Sequence, residues 1–226
     1  MWHPQVDALA DEFRVVAVDT RGHGNSTMSS EAFTLEHLAG DVLDAVAAAG
    51  VDRFHFCGIS LGGQIAMWTA INRSERLRSI VVANTAARIG TEQSWTARAA
   101  AIRSGGMASI TEAAKGRFFS PDFRYRQPEW FEETITTLES CDPAAYIACC
   151  EMLAHNDLTA DVAAIGLPTL IIAGDLDPTA SVEQARWLQD EIDGSELAVL
   201  EGAAHLSSLD RGEDFTTALR QFLESH

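Results

Sequence analysis

The stretch HFCGISLGGQI, residues His55 to Ile65, decides how the rest of the sequence is read. An apolar run leads into Ser60, which sits among Gly58, Gly62 and Gly63, and a helix-forming pattern follows. Glycine tolerates positive φ and lets other backbone approach closely, so this cluster predicts a turn too tight for side chains. A strand, then Gly-x-Ser-x-Gly, then a helix is the nucleophile elbow. Its strained turn lifts the hydroxyl clear of a sheet, sets it near a helix N-terminus and turns the backbone N–H of the next residue, here Leu61, toward a developing oxyanion. As a bare string the motif is weak, because Gly and Ser are common turn residues. The strand-turn-helix context favours the nucleophile over an ordinary turn.

Outward from the elbow, short apolar runs alternate with amphipathic helical patterns, the rhythm of a mostly parallel sheet with helices on both faces, an α/β layout. The expected strands are Arg14 to Val18, Arg53 to Ile59, Arg78 to Asn84, Pro168 to Gly174 and Glu196 to Gly202. All are rich in Val, Ile and Leu, as strands covered on both faces should be. The opening MWHPQVDALADEF reads as a helix, and Thr34 is a plausible N-cap for a helix with Leu35, Leu38, Val42 and Val46 on one face. Further helices are expected from Leu61, from Ser181 and from Glu213.

The rhythm breaks between Ala86 and Ile165. There the pattern is helical in pieces, with Pro121, Pro128 and Pro143 as punctuation. The expected organisation is a core of residues 1–85 and 166–226 with a helical cap insertion at 86–165. Within the insertion, Trp95, Phe118, Phe119, Tyr125, Trp130 and Phe131 either line a pocket or form the core of a small helical layer.

A serine hydroxyl is a poor nucleophile until a base takes its proton, so an elbow predicts a histidine and an orienting carboxylate. In this chain order the acid follows one late strand and the base the last. His205 follows the last strand run and Gly202 and precedes the terminal helix, a placement that His3, His23, His37, His55, His155 and His226 lack. The acid is Asp175 or Asp177 in the stretch IIAGDLDPTAS. Asp177 is favoured, because it lies further into the loop where Pro178 fixes the chain ahead of the helix.

Composition excludes other classes. With 33 acidic against 16 basic residues, the 226-residue chain carries a formal net charge of -17, which gives no attraction toward phosphate backbones or anionic membranes. No apolar run approaches the roughly 18 residues of a membrane span, and the N-terminal residues lack a charged flank ahead of an apolar block. The sequence reads as a cytoplasmic protein acting on a small molecule, without nucleic-acid or membrane partners. Cys57, Cys141, Cys149 and Cys150 show neither metal-ligand nor disulfide-framework spacing and read as reduced, mostly buried thiols.

With GISLGG, GDLDP and GAAHLS in this order, the chain resembles the α/β-hydrolase fold family along essentially its whole length. VDTRGHGNST looks like that family's Asp-x-Arg-Gly-x-Gly-x-Ser loop, and VVANTAARIG, with the cysteine before the elbow, is similar to the 3-oxoadipate enol-lactonases of bacterial aromatic catabolism. The resemblance implies a cofactor-free, metal-free hydrolase opening the enol-lactone of 3-oxoadipate, with Ser60 as nucleophile, Asp177 as acid, His205 as base and Leu61 N–H as one oxyanion donor. It also implies earlier strands and a His-Gly loop supplying a second oxyanion donor. In that frame residue 1 falls after the loop, so the expectation is that the N-terminal strands are missing, one of them from between Arg14 to Val18 and Arg53 to Ile59.

The substrate so implied carries a carboxylate, which a chain of net charge -17 can hold only beside a local cation. Arg88, at the entrance to the insertion, is the first candidate, with Arg98, Arg103 and Arg117 behind it; each is otherwise a solvated surface arginine. Phe118 and Trp130 are the candidate apolar contacts. The same triad would serve a carboxylesterase or a C–C bond hydrolase, and a catalytically weak ligand-binding member of the fold is the reading from another class.

Overall fold

The computed structural model describes residues 1–28 and 32–226. In chain order its elements are α1 (His3–Leu9), α2 (Leu35–Ala48), β1 (Phe54–Ile59), α3 (Leu61–Asn72), β2 (Leu77–Ala83), α4 (Glu92–Gly105), α5 (Ala108–Phe118), α6 (Phe123–Arg126), α7 (Pro128–Ser140), α8 (Pro143–His155), β3 (Thr169–Gly174), α9 (Val182–Glu191), β4 (Glu196–Leu200), α10 (Ser207–Asp210) and α11 (Gly212–Ser225). Among the described residues the strands form one sheet in the order β1-β2-β3-β4, every neighbouring pair parallel.

Alternation along the strands assigns the two faces. Ile80 and Val82 of β2 and Ile171 and Ala173 of β3 pack into one apolar cluster with α2, α3 and α9. Their sequence neighbours Val81, Ala83, Leu170 and Ile172 pack into the other, with Leu9 of α1 and Phe215, Leu219 and Phe222 of α11. β2 and β3, buried on both faces, read as continuous apolar runs, whereas β1 is half-buried along most of its length and β4 exposes Glu196 and Val199. Helix starts follow local chemistry: the Thr34 N–H donates to Nδ1 of His37 at 3.1 Å, and the Ser181 N–H donates to Oε1 of Gln184 at 3.0 Å.

Between β2 and β3 the chain is helical, α4 to α8. This segment shares a core with the sheet: Phe119 and Phe123 stack with ring centroids 4.2 Å apart and sit in the cluster of Val81, Leu206 and Phe215. One expectation is corrected. Arg14 to Val18 is not a strand; the segment has no regular secondary structure, and Val15 and Val16 are each 40% exposed. A strand exists only with a ladder partner, and among the described residues β1 pairs with β2 alone.

Candidate active site

Parallel strands bring their C-terminal ends to one edge, and the loops leaving that edge carry the residues singled out above. Ser60 follows β1 directly with φ 54° and ψ -115°, a strained backbone for a side-chain-bearing residue. Its N–H donates to the Ala83 carbonyl at 2.9 Å, and its own carbonyl accepts from Thr85 Oγ1 at 2.8 Å. The glycines divide the work. A Cβ on Gly58 would overlap the Gly62 backbone, and one on Gly63 would stand 2.6 Å from Thr85 Cγ2, whereas one on Gly62 meets nothing. The turn is therefore tight at Gly58 and Gly63, and Gly62 is the backbone that Gly58 must clear. Leu61 opens α3, and a helix's first N–H groups have no intrahelical acceptor.

Asp177 lies in the loop after β3 and His205 in the loop after β4; both are buried. His205 Nδ1 and Asp177 Oδ2 are 2.8 Å apart. The carboxylate also accepts the Thr179 N–H at 2.7 Å on Oδ1 and Asn84 Nδ2 at 3.0 Å on Oδ2. Asp175, the other candidate acid, instead accepts the Gly202 N–H at 2.6 Å in an exposed turn. No hydrogen bond joins the Ser60 hydroxyl to His205. The tautomer in which Nδ1–H donates to Asp177 leaves Nε2 as an acceptor, the arrangement a general base requires.

The helical segment touches this loop directly. The His205 N–H donates to the Arg117 carbonyl at 3.2 Å and the Leu206 N–H to the Phe118 carbonyl at 2.9 Å. The Phe118 ring lies stacked against the His205 imidazole, centroids 6.3 Å apart. Arg88 is half-exposed and pairs with Asp157 at 3.3 Å, and Trp130 meets His3 edge-on at 5.6 Å. Neither stacks on or hydrogen-bonds to Ser60, Asp177 or His205.

Two residues escaped the sequence reading. Asn84, after β2, has φ 45° and is buried; its amide donates to Asp177 and to the Ala204 carbonyl, and its Oδ1 accepts from Ser207 Oγ. Asp210, fully buried, accepts the N–H groups of Ala204 and Ser120, both at 2.8 Å, and pairs with Arg126 at 3.0 Å. An asparagine closing an apolar strand was the available signal for the first. For the second there was none, since Ser120 is 90 residues away.

A parallel sheet flanked by helices, with a strained serine turn and a bonded Asp–His pair at its C-terminal edge, defines a hydrolase architecture. Residues 1–218 match the alpha/beta hydrolase family, and the chain belongs to that family. It is similar to 3-oxoadipate enol-lactonase 1 of Acinetobacter baylyi, 40% identical over all of this chain and 84% of that protein. It is also similar to that organism's 3-oxoadipate enol-lactonase 2, 36% identical over 99% of this chain and 84% of that one. The crystal structure of the enol-lactonase from Burkholderia xenovorans LB400 superposes with a TM-score of 0.95 at 35% identity, covering 99% of this chain and 85% of that one. The chain is thus a hydrolase by family, and these relatives are enol-lactonases. Among the described residues no helix is long and apolar enough to cross a membrane.

Proposed function

We propose that the protein opens the enol-lactone of 3-oxoadipate by acyl transfer through Ser60, with His205 as general base and acid and Asp177 as its orienting carboxylate. The observation that carries this reading is the 2.8 Å bond between Asp177 and His205 at the same sheet edge as the strained Ser60 turn. In the first half-reaction, Ser60 Oγ attacks the lactone carbonyl as its proton passes to His205 Nε2. The Leu61 N–H holds the oxyanion, and the ring C–O bond breaks as the leaving enol oxygen takes the proton from His205. In the second, His205 removes a proton from water, hydroxide adds to the acyl carbon, and the proton returns to Ser60 as the diacid leaves. Asp177 stabilises the imidazolium in both halves, and the Thr179 N–H and Asn84 amide, which donate to its carboxylate, hold it in place. The enol released tautomerises to the keto diacid, a step belonging to aromatic degradation.

The test is the loss of enol-lactone absorbance with the purified chain beside Ser60→Ala. Turnover by the parent and none by Ser60→Ala is expected. Equal turnover by both would remove Ser60 from the chemistry, and turnover of 4-nitrophenyl acetate but not of the lactone would leave a carboxylesterase.

A further inference from the structure

We propose that Arg98 and Arg117, with the Tyr146 hydroxyl between them, form the anion site that receives the free carboxylate of the substrate, a lactone or ester with a carboxylate on its acyl chain. This rests on the hydrolase reading of Ser60 and assigns the charge recognition that reading lacks.

The placement comes first. Arg117 is in the last turn of α5, and its own carbonyl accepts the His205 N–H at 3.2 Å, so it is tied to the loop of the proposed base. Arg98 projects from α4 over the Trp95 ring, its guanidinium carbon 4.4 Å from the centroid. Trp95 and Tyr146 belong to one apolar cluster with Leu61, the residue that follows Ser60. Arg98 and Tyr146 thus adjoin the apolar cluster that Leu61 packs against, and Arg117 lies in the segment whose backbone holds the His205 loop, the three residues coming from α4, α8 and α5.

Charge comes second. Both arginines are half-buried, and neither hydrogen-bonds to nor pairs with a carboxylate among the described residues. Their neighbours are treated differently: Arg88 pairs with Asp157, Arg103 with Glu151, and Arg126 with Asp122 and Asp210. In a chain with 33 acidic residues, two adjacent guanidiniums without a carboxylate are a conspicuous vacancy of countercharge. Arg117 bears the cost, because burial and the like charge of Arg98 both push its pKa down, while the Tyr146 oxygen favours its charge. Burial pushes the Tyr146 phenol up, so it remains a hydroxyl donor at neutral pH. A carboxylate entering this space relieves the repulsion and gains guanidinium and hydroxyl donors in a partly desolvated setting, where charge-assisted bonds are strongest. It also offsets locally the long-range repulsion that a net charge of -17 exerts on an anion.

The test uses adipate, an inert dicarboxylate, titrated calorimetrically into the parent chain, Arg98→Gln, Arg117→Gln, Arg98→Lys, Arg117→Lys and, as control, the exposed Arg186→Gln. Adipate is expected to bind the parent and Arg186→Gln alike and to bind each Gln variant about tenfold to a hundredfold more weakly, with partial recovery in the Lys variants. In kinetics, KM for 4-nitrophenyl hemisuccinate rises by a similar factor while hydrolysis of uncharged 4-nitrophenyl acetate stays within about twofold. Absence of adipate binding to the parent, unchanged binding in both Gln variants, or equal losses on the charged and uncharged esters would each overturn the proposal. Ser60→Ala retaining ester hydrolysis, with adipate binding still dependent on both arginines, would instead overturn the hydrolase reading and leave the anion site standing.

Discussion

Replacing Asp210 with alanine tests how the helical segment and the proposed base are held together. The Asp210 side chain is fully buried and serves four donors: the N–H groups of Ala204 and Ser120 at 2.8 Å, Ser120 Oγ at 2.6 Å and Arg126 Nη2 at 3.0 Å. Ala204 and Ser120 are themselves buried, so truncation strands two backbone donors away from water. Each stranded donor costs about 1 to 3 kcal/mol, and the pair with the partly exposed Arg126 adds about 1 kcal/mol or less. The loss is thus about 2 to 7 kcal/mol, a large share of a margin of about 5 to 15 kcal/mol. At about 2 to 4 °C per kcal/mol for a chain of this size, the thermal midpoint should fall by roughly 4 to 28 °C. Because Ala204 precedes His205, kcat at a temperature where the variant is still folded should also fall, by about tenfold. Asp210→Asn retains one acceptor oxygen and should lie between the two. Circular dichroism melts and 4-nitrophenyl acetate kinetics on the same samples make the measurement. A midpoint within about 2 °C of the parent, or a lost midpoint with unchanged kcat at low temperature, refutes the reasoning.

Two further outcomes are expected. Asn84→Ala removes a donor from Asp177 and places alanine at φ 45°, so kcat should drop about tenfold with KM little changed, whereas Asn84→Asp, which sets a second carboxylate against Asp177, should be worse at neutral pH and recover in part on acidification; equal pH profiles for both variants would contradict this. Burial pushes the Cys57 and Cys149 thiols up to about 12 and Cys150 up to about 11, from an ordinary 9.0. At pH 8 the first two should react with a disulfide reagent about a thousandfold more slowly than free cysteine, with the protection lost on unfolding; the same shifts mean that the unfolded chain gives up these protons first, so stability is intact below pH 9 and declines above it. Four rapidly titrating thiols in the folded protein would sink this.

What the sequence made legible is what local pattern controls. Four apolar runs became β1 to β4, of which β2 and β3 are continuous because strands covered on both faces need no alternation, and the helical pieces SWTARAAAI, SITEAAKGRFF, WFEETITTLES and PAAYIACCEMLA became α4, α5, α7 and α8. The serine turn was legible because Gly58 and Gly63 record two close approaches in the chain itself. Arg14 to Val18 failed for the opposite reason: its composition suits a strand, but a ladder needs a neighbour that composition does not reveal. The roles of Asp210 and Asn84 were not legible, because Asp210 reaches Ser120, 90 residues away, and Asn84 reaches Asp177, 93 residues away. Among the arginines, chain position put Arg88 first, yet only packing tells which guanidiniums already hold a carboxylate.

Burial and strain converge on one end of the sheet. Among the described residues, the non-glycine positions with positive φ are Ser60 and Asn84, which follow the ends of adjacent strands β1 and β2. Asn84, Asp177, His205, Ser207 and Asp210 are all buried polar side chains at this edge, while the strand interiors are almost wholly apolar. Buried polar groups are tolerable only when paired, and here hydrogen bonds run from Ser207 through Asn84 and Asp177 to His205, with Asp210 holding the same loop from the other side. A strained backbone persists only where its surroundings over-determine it. The network does so, since moving Asn84 would disturb Asp177 and the Ala204 carbonyl at once. The geometry of the imidazole is therefore set by three strand ends and by the helical segment together. Substitutions in that segment should reach the base through Arg117 and Phe118, whose carbonyls hold the His205 loop, as well as through the shape of the pocket.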